Sequence, residues 1–337
     1  MWHRSLVVAL AVVVAACSSL AVPDPPEPPD SSAAPTTSAA ATTTTAIPDT
    51  TQPAPEVSTT TTPPDALAGL TPTGVVVPIL AVGAGRFVVG TPCAERAVLT
   101  DLDPVGPVDV LIDPGHGGDV ETGSVGRNGL READLNLAVS RDLVVWLDER
   151  GVDALLTRTG DYRMAIRARA ELARTVAPRL LVSVHHNAGS IGPADEPGTI
   201  VFHQVDDDAS RRAAGLAYEE LVAALEPLDL PWVNSFEPGA FAAVRDGDGR
   251  DAYGILRLTY PIPAILTEAL FLQNPPEAEA LATDEVQALE VEALGRAIVR
   301  FLDTDDVGSG FRDPEVYTFP VSSTGGTDGC VDPDLTG

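Results

Sequence analysis

The alternation of apolar runs constrains this chain most. From residue 107 onward, short runs of strand length trade places with longer stretches of helical period. Residues 108–112, 154–156, 180–184, 199–202, 255–259 and 264–266 read as strands. Residues 133–149, 162–176, 209–225, 276–282 and 284–302 read as helices. In the first of these, Leu135, Val139, Leu143 and Leu147 recur at i, i+4 spacing, and Gly151 supplies a stop. This alternation predicts an α/β fold: a mixed, mostly parallel central sheet covered by helices on both faces. Such sheets gather their sites at the carboxyl ends of strands.

The flanks have other characters. His3, Arg4 and the apolar stretch Leu6–Val14, too short to span a bilayer, read as a secretion signal. Small residues then precede Cys17. The pattern resembles a bacterial lipobox, so 1–17 is expected to be a lipoprotein signal peptide, with lipid anchoring Cys17 to the membrane. Residues 18–70, rich in Pro, Thr, Ser and Ala, are expected to be a disordered linker. Residues 71–106 carry short β-like runs separated by glycine and predict a small N-terminal β segment. A catalytic domain over 107–303 follows, then an irregular tail over 304–337. Cys93 and Cys330 are an even pair for an oxidising compartment, where they either form a disulfide or stay as two thiols.

Charge narrows the partners. The 337-residue chain has a formal net charge of −28 and no lysine. That excludes the basic footprint of nucleic-acid binding and a polybasic attraction to anionic lipid. Without lysine, a Walker-type phosphate loop is excluded as well.

Chemistry gathers where the first strand ends, at Asp113-Pro114-Gly115-His116-Gly117-Gly118. The three glycines remove side chains around one histidine, so a ligand or metal has room to approach. Of five histidines, His185 and His186 end another strand. Two histidine-bearing strand ends converging on one sheet edge suit a catalytic zinc, which needs about three protein ligands and one open position. Glu132 and Asp134, at the start of the first helix, are both candidates for a carboxylate ligand. The plainer alternative makes the histidine pair polar trim and Glu132 an acid that complements the helix dipole.

Four ordered segments now bear on the choice: 113–118, Asn128-Gly129-Leu130-Arg131-Glu132-Ala133-Asp134, Ser183-Val184-His185-His186-Asn187-Ala188 and Leu266-Thr267-Glu268-Ala269-Leu270-Phe271-Leu272-Gln273-Asn274. In order, they resemble the motifs of the zinc-dependent N-acetylmuramoyl-L-alanine amidases, which are bacterial cell-wall hydrolases. Thr157-Arg158 and Arg169 also fall where that family has a Thr-Arg pair and a later Arg. The resemblance covers roughly 108–303. It implies one Zn2+ held by His116, Glu132 and His185, with Glu268 as the catalytic acid–base. It implies peptidoglycan as substrate; with the lipobox pattern at Cys17, the chain is expected to act as a monomer on the outer face of the cytoplasmic membrane. His186 departs from a position that is usually small in the family, and Ala269 replaces the common Gly.

Other residues carry open alternatives. His186 and Asn187 contact substrate or support the site, and Asp113 orients a ligand or simply forms a turn. His203 is a substitute ligand or, by preference, a surface or groove residue. Trp232, Phe236 and Phe241 stack on glycan or pack a loop, packing being preferred. Asp206-Asp207-Asp208 is expected to cap the next helix. The stretch 206–252 has room for a helix that blocks the site. The rivals to an amidase are a non-catalytic peptidoglycan-binding or regulatory lipoprotein and another zinc peptidase of the wall. The absence of H-E-x-x-H counts against the commonest peptidase class.

Overall fold

The computed structural model describes residues 67–189, 192–235, 238–320 and 326–337. Cys17, the signal peptide, nearly all of the expected linker and Phe236 lie outside them. Five strands open the described chain: β1 (Ala68–Leu70), β2 (Val76–Gly83), β3 (Arg86–Gly90), β4 (Arg96–Leu99) and β5 (Asp103–Val105). They form an antiparallel sheet in the order β4-β3-β2-β1-β5, which starts at Ala68, inside the segment expected to be linker.

The α/β part follows with β6 (Val110–Pro114), α1 (Glu132–Asp148), β7 (Ala154–Leu156), α2 (Ile166–Val176) and β8 (Leu180–Asn187). Next come β9 (Gly192–Pro193), β10 (Ile200–His203), α3 (Asp208–Leu225), β11 (Val233–Asn234) and β12 (Gly239–Arg245). It closes with α4 (Gly254–Thr259), β13 (Ala264–Phe271), α5 (Pro275–Leu281), α6 (Asp284–Asp303) and β14 (Phe311–Phe319). Seven of these strands make one sheet in the order β14-β12-β10-β13-β8-β6-β7, while β9 and β11 form a separate small ladder. Every neighbouring pair in the large sheet is parallel except β10 with β13. This is the mixed, mostly parallel sheet that the alternation predicts.

Period-two side chains explain the layers. Val110 and Ile112 of β6, with Leu180, Val182 and Val184 of β8, bury against α1, α3 and α6. Leu111, Leu181 and Leu266 point the other way, onto α2, α4 and residues Ala68 and Val76 of the small sheet. Asp207 caps α3, its carboxylate accepting from the Ser210 amide at 2.6 Å, as expected of the acidic run. Among the described residues no helix is long and apolar enough to cross a membrane.

Three expectations are corrected. Residues 255–259 form helix α4, not a strand; a five-residue apolar run lacks the length that separates the two. Phe241, expected to pack a loop, lies instead on strand β12, whose Ala240-Phe241-Ala242-Ala243 core is poor in β-branched residues and so gave little strand signal. Residues 304–337 are not uniformly irregular. They supply the edge strand β14, and Leu335 packs into the core of the small sheet.

Cys93 and Cys330 are joined, with an S–S distance of 2.03 Å, tying the C-terminal segment to the small sheet. The crosslink spans 237 residues. Replacing both cysteines by Ala is expected to cost about 2–4 kcal/mol, chiefly by freeing the unfolded chain. Urea unfolding of both proteins measures the difference.

Candidate metal centre

β6 stops at Pro114, and the chain turns sharply through Gly115 to Gly118. His116 sits in this turn with φ +61°, a left-handed conformation costly for a residue with a Cβ. Two buried guanidiniums hold it there. Arg169 donates to the carbonyls of Pro114 at 2.7 Å and His116 at 2.6 Å. Arg158 donates to those of Pro114, Gly115 and Ala133 at 2.8–3.0 Å.

The glycines serve a different purpose from the expected one. A Cβ on Gly115 would overlap the His185 ring, and one on Gly117 would strike the Tyr162 carbonyl. At Gly118 it would meet the Arg163 amide at 2.8 Å. They make room for the protein's own packing, not for a ligand. Gly115→Ala is therefore expected to turn the His185 ring and weaken divalent-cation binding about 10–100-fold, the range seen when the support of a ligand is lost. Competition against a chelating dye measures it.

Three elements bring the ligand candidates together. His116 comes from the turn after β6, His185 from the end of β8, and Glu132 is the first residue of α1. Glu132 Oε1 lies 3.1 Å from His116 Nε2 and 3.1 Å from His185 Nδ1, while Oε2 accepts from the Ser124 amide at 2.7 Å. The two rings meet edge to face with centroids 4.9 Å apart. One donor atom from each of the three residues lies within 4.8 Å of the others. Asp134, the other carboxylate candidate, is exposed and paired with Arg131.

The donor set fits a divalent cation. Two imidazoles and a carboxylate are a zinc-type set, and His116 Nδ1 is buried with no hydrogen-bond partner among the described residues. Burial alone would raise the Glu132 carboxyl, but hydrogen bonds to His116 and His185 outweigh it and hold it well below the usual range. Burial lowers His185, against the opposing hydrogen bond from Glu132. An ionised carboxylate and a neutral imidazole are the forms that bind metal.

Glu268 stands one strand away. Its Cα is in register with that of His185 on the parallel pair β13–β8, so both side chains leave the same face. Its Oε2 is buried without a partner among the described residues. Burial, and then the Glu132 charge, push its carboxyl well above the usual range. Asn187 supports the site. It donates to the carbonyls of Glu268 at 3.2 Å and Gly198 at 3.4 Å, bracing the end of β13. Asp113 is a strand residue rather than a turn former. It accepts from Arg169 and Thr157 at 2.6 Å and from Ser183 at 2.8 Å.

His186 points through the sheet to the opposite face and is 1% exposed, which removes it from substrate. His203 is buried, not a surface or groove residue; its Nδ1 meets the Gln204 carbonyl at 2.9 Å, and it lies outside the cluster. Trp232 and Phe241 are core residues, as the packing alternative has it. Helix α3 packs with α6 on the face opposite His185, so it does not cover the cluster. Sequence pattern does not disclose the structural parts that Arg158, Arg169, Asn136 and Glu290 play. A fully apolar helix face interrupted by Arg169, between Ala168 and Ala170, was the available signal.

Comparison with known proteins gives a consistent picture. The family model described as N-acetylmuramoyl-L-alanine amidase matches residues 110–300, a span holding His116, Glu132, His185 and Glu268. The chain is 31% identical over 215 residues to YqiI of Bacillus subtilis, covering 63% of this chain and 91% of that one. It is 25% identical over 232 residues to the N-acetylmuramoyl-L-alanine amidase AmiA of Salmonella typhimurium, covering 57% and 75%. It also resembles the crystal structure of an N-acetylmuramoyl-L-alanine amidase from Clostridium difficile 630. There the TM-score is 0.50 and the identity 26%, over 59% of this chain and 98% of that one.

Proposed function

The chain belongs to the N-acetylmuramoyl-L-alanine amidase family, and on that premise we propose that it is a zinc hydrolase of peptidoglycan. It cleaves the amide between the lactyl group of N-acetylmuramic acid and L-alanine. The observation that carries this is the meeting of His116, Glu132 and His185 beside a buried carboxylate oxygen of Glu268 that has no hydrogen-bond partner among the described residues.

His116, Glu132 and His185 hold the ion, and Glu268 stays out of the ligand set. When bound, zinc supplies Lewis-acid chemistry, lowering the pKa of a water toward roughly 7 and polarising a carbonyl. Glu268 takes a proton from the attacking water at Oε2 and returns it to the departing amine of L-alanine. Its raised carboxyl brings that exchange nearer to neutral pH than an ordinary glutamate would. Arg158 and Arg169 keep the His116 turn in its strained shape through the cycle.

The test digests purified peptidoglycan with the full chain, with and without chelator, and assigns the products. Free stem peptides that begin at L-alanine, lost on chelation, are the expected result. Binding without released peptide would make the protein a wall-binding lipoprotein instead. Release of peptides cut at internal bonds would make it a peptidase.

The chain's ends belong to the same proposal. Residues 1–17 direct export, lipid on Cys17 anchors the protein outside the cytoplasmic membrane, and 18–66 tether the catalytic domain within reach of the wall. The enzyme acts as a monomer. Cys17→Ser is expected to move the protein from the membrane to the soluble fraction; retention in the membrane would refute the anchor.

A further inference from the structure

We propose that His186, backed by Glu290, is a positioning residue for the metal centre: the pair fixes the Asn136 amide, which in turn holds the Gly115 carbonyl next to His116. The proposal rests on the zinc reading above. Strand alternation sends His185 toward the centre and His186 into the layer beneath α1 and α6. There each ring nitrogen has one partner. Nδ1 lies 2.8 Å from Asn136 Oδ1 and Nε2 lies 3.0 Å from Glu290 Oε2. All three residues are fully buried.

The order of these bonds fixes an orientation. Asn136 Nδ2 donates to the Gly115 carbonyl at 3.2 Å. Turned over, the amide would set its oxygen against that carbonyl, two acceptors facing each other. The His186 Nδ1–H donating to Oδ1 selects the correct face. The proton shared with Glu290 makes one hydrogen bond whichever atom carries it, and that bond stops the ring from rotating. The brace reaches the ligands at two points. Gly115 precedes His116, and the His186 amide approaches Glu132 Oε1 at 3.4 Å. Asn136 lies one turn after Glu132 on α1, so fixing one steadies the other.

Stability alone does not call for this arrangement. A buried ionisable pair is often no more stabilising than apolar residues of similar volume, and Glu290 Oε1 is left without a partner. Apolar residues would fill the layer but could not choose which way the Asn136 amide faces. Supporting groups of this kind set metal affinity.

The experiment measures zinc dissociation constants of the full chain by competition with a chelating dye, alongside melting temperatures. His186→Leu with Glu290→Leu removes the brace and refills the space. The expected result is a melting temperature near wild type with zinc bound about tenfold more weakly. Glu290→Gln, which keeps a hydrogen-bonding partner at Nε2, is expected to restore wild-type affinity to within about twofold, since the bond to the ring survives. Unchanged affinity in the double variant would reduce the pair to core filling and overturn the proposal. Should the double variant fail to fold, Asn136→Ala decides the same point: weaker zinc supports the brace, unchanged zinc overturns it. A wild-type chain that binds no zinc would instead defeat the zinc reading itself, independently of the variants.

Discussion

Glu268→Gln is expected to lower kcat about 10²–10⁴-fold, the usual worth of a positioned acid–base group, while zinc content stays at wild type. Glutamine matches the shape of glutamate but cannot take the proton. Among the described residues nothing holds Oε2, so the loss should be chemical and not structural. The acidic limb of the wild-type pH–rate profile should lie above an ordinary glutamate's 4.5, because burial and the Glu132 charge raise this carboxyl. A base must be ionised to work, so activity falls as pH drops through the raised value. Stability should move the other way. An acid raised on folding contributes stability present at low pH and lost as pH rises through its folded value. Zinc-free Glu268→Gln should therefore melt higher than wild type at pH 7.5, with the gain shrinking at pH 4.5. Peptide release and thermal scans at both pH values check the two halves. Activity above a tenth of wild type would place the acid–base group elsewhere.

That balance explains what was legible in the sequence. His116, Glu132, His185 and Glu268 stand at strand ends or a helix start, and alternation alone marks such places. The structure brings all four to the same end of β6, β8 and β13. Their supports were not legible. Glu290 lies 104 residues from His186, and Arg169 lies 53 from His116. Glu290 reads as an ordinary charge on an amphipathic helix, Arg169 is marked only by its place in the family pattern, and packing shows both charges turned inward. The glycines misled for a related reason. A missing side chain says that something comes close, not what; at Gly115 the visitor is the His185 ring.

The fold was legible wherever an element had length or a strong period. α1 and α6 fall within a residue or two of expectation. Short elements were read unevenly: β7 falls at Ala154–Leu156 as expected, while others were missed. Neither the α4 run nor the alanine-rich β12 carries enough local preference to declare itself, and both are decided by neighbours. β14 could not be read because its partner β12 was itself unread, and an edge strand gains its identity from the strand it joins.

Arg169→Met should show how much the turn depends on charge, at an expected cost of about 3–5 kcal/mol at pH 7.5, the penalty for orphaning a buried partner. Arg169 and Asp113 face each other at 2.6 Å, each side chain only 2% exposed. Methionine refills the volume but leaves the Asp113 carboxylate without its cation, the His116 carbonyl without its Arg169 donor and the Pro114 carbonyl with Arg158 alone. The sign of the pH dependence separates charge from packing. In the wild type, burial would raise Asp113, but Arg169 overcomes it and the carboxyl sits below 3.8. A depressed acid contributes stability above its unfolded value that is lost only as pH falls through the folded one, so wild type keeps this term at pH 4.5. In the variant, burial acts unopposed by Arg169 and the carboxyl rises. Protonating it as pH falls then relieves the variant, and the gap to wild type should narrow from pH 7.5 to pH 4.5. Urea unfolding at both values measures the gap. Adding Asp113→Asn should recover part of the loss at pH 7.5, because an amide oxygen still accepts from Thr157 or Ser183 and carries no charge. A gap independent of pH, unrelieved by Asp113→Asn, would mean that Arg169 acts through its carbonyl bonds alone, and the strain at His116 would then be held by hydrogen bonding and not by the ion pair.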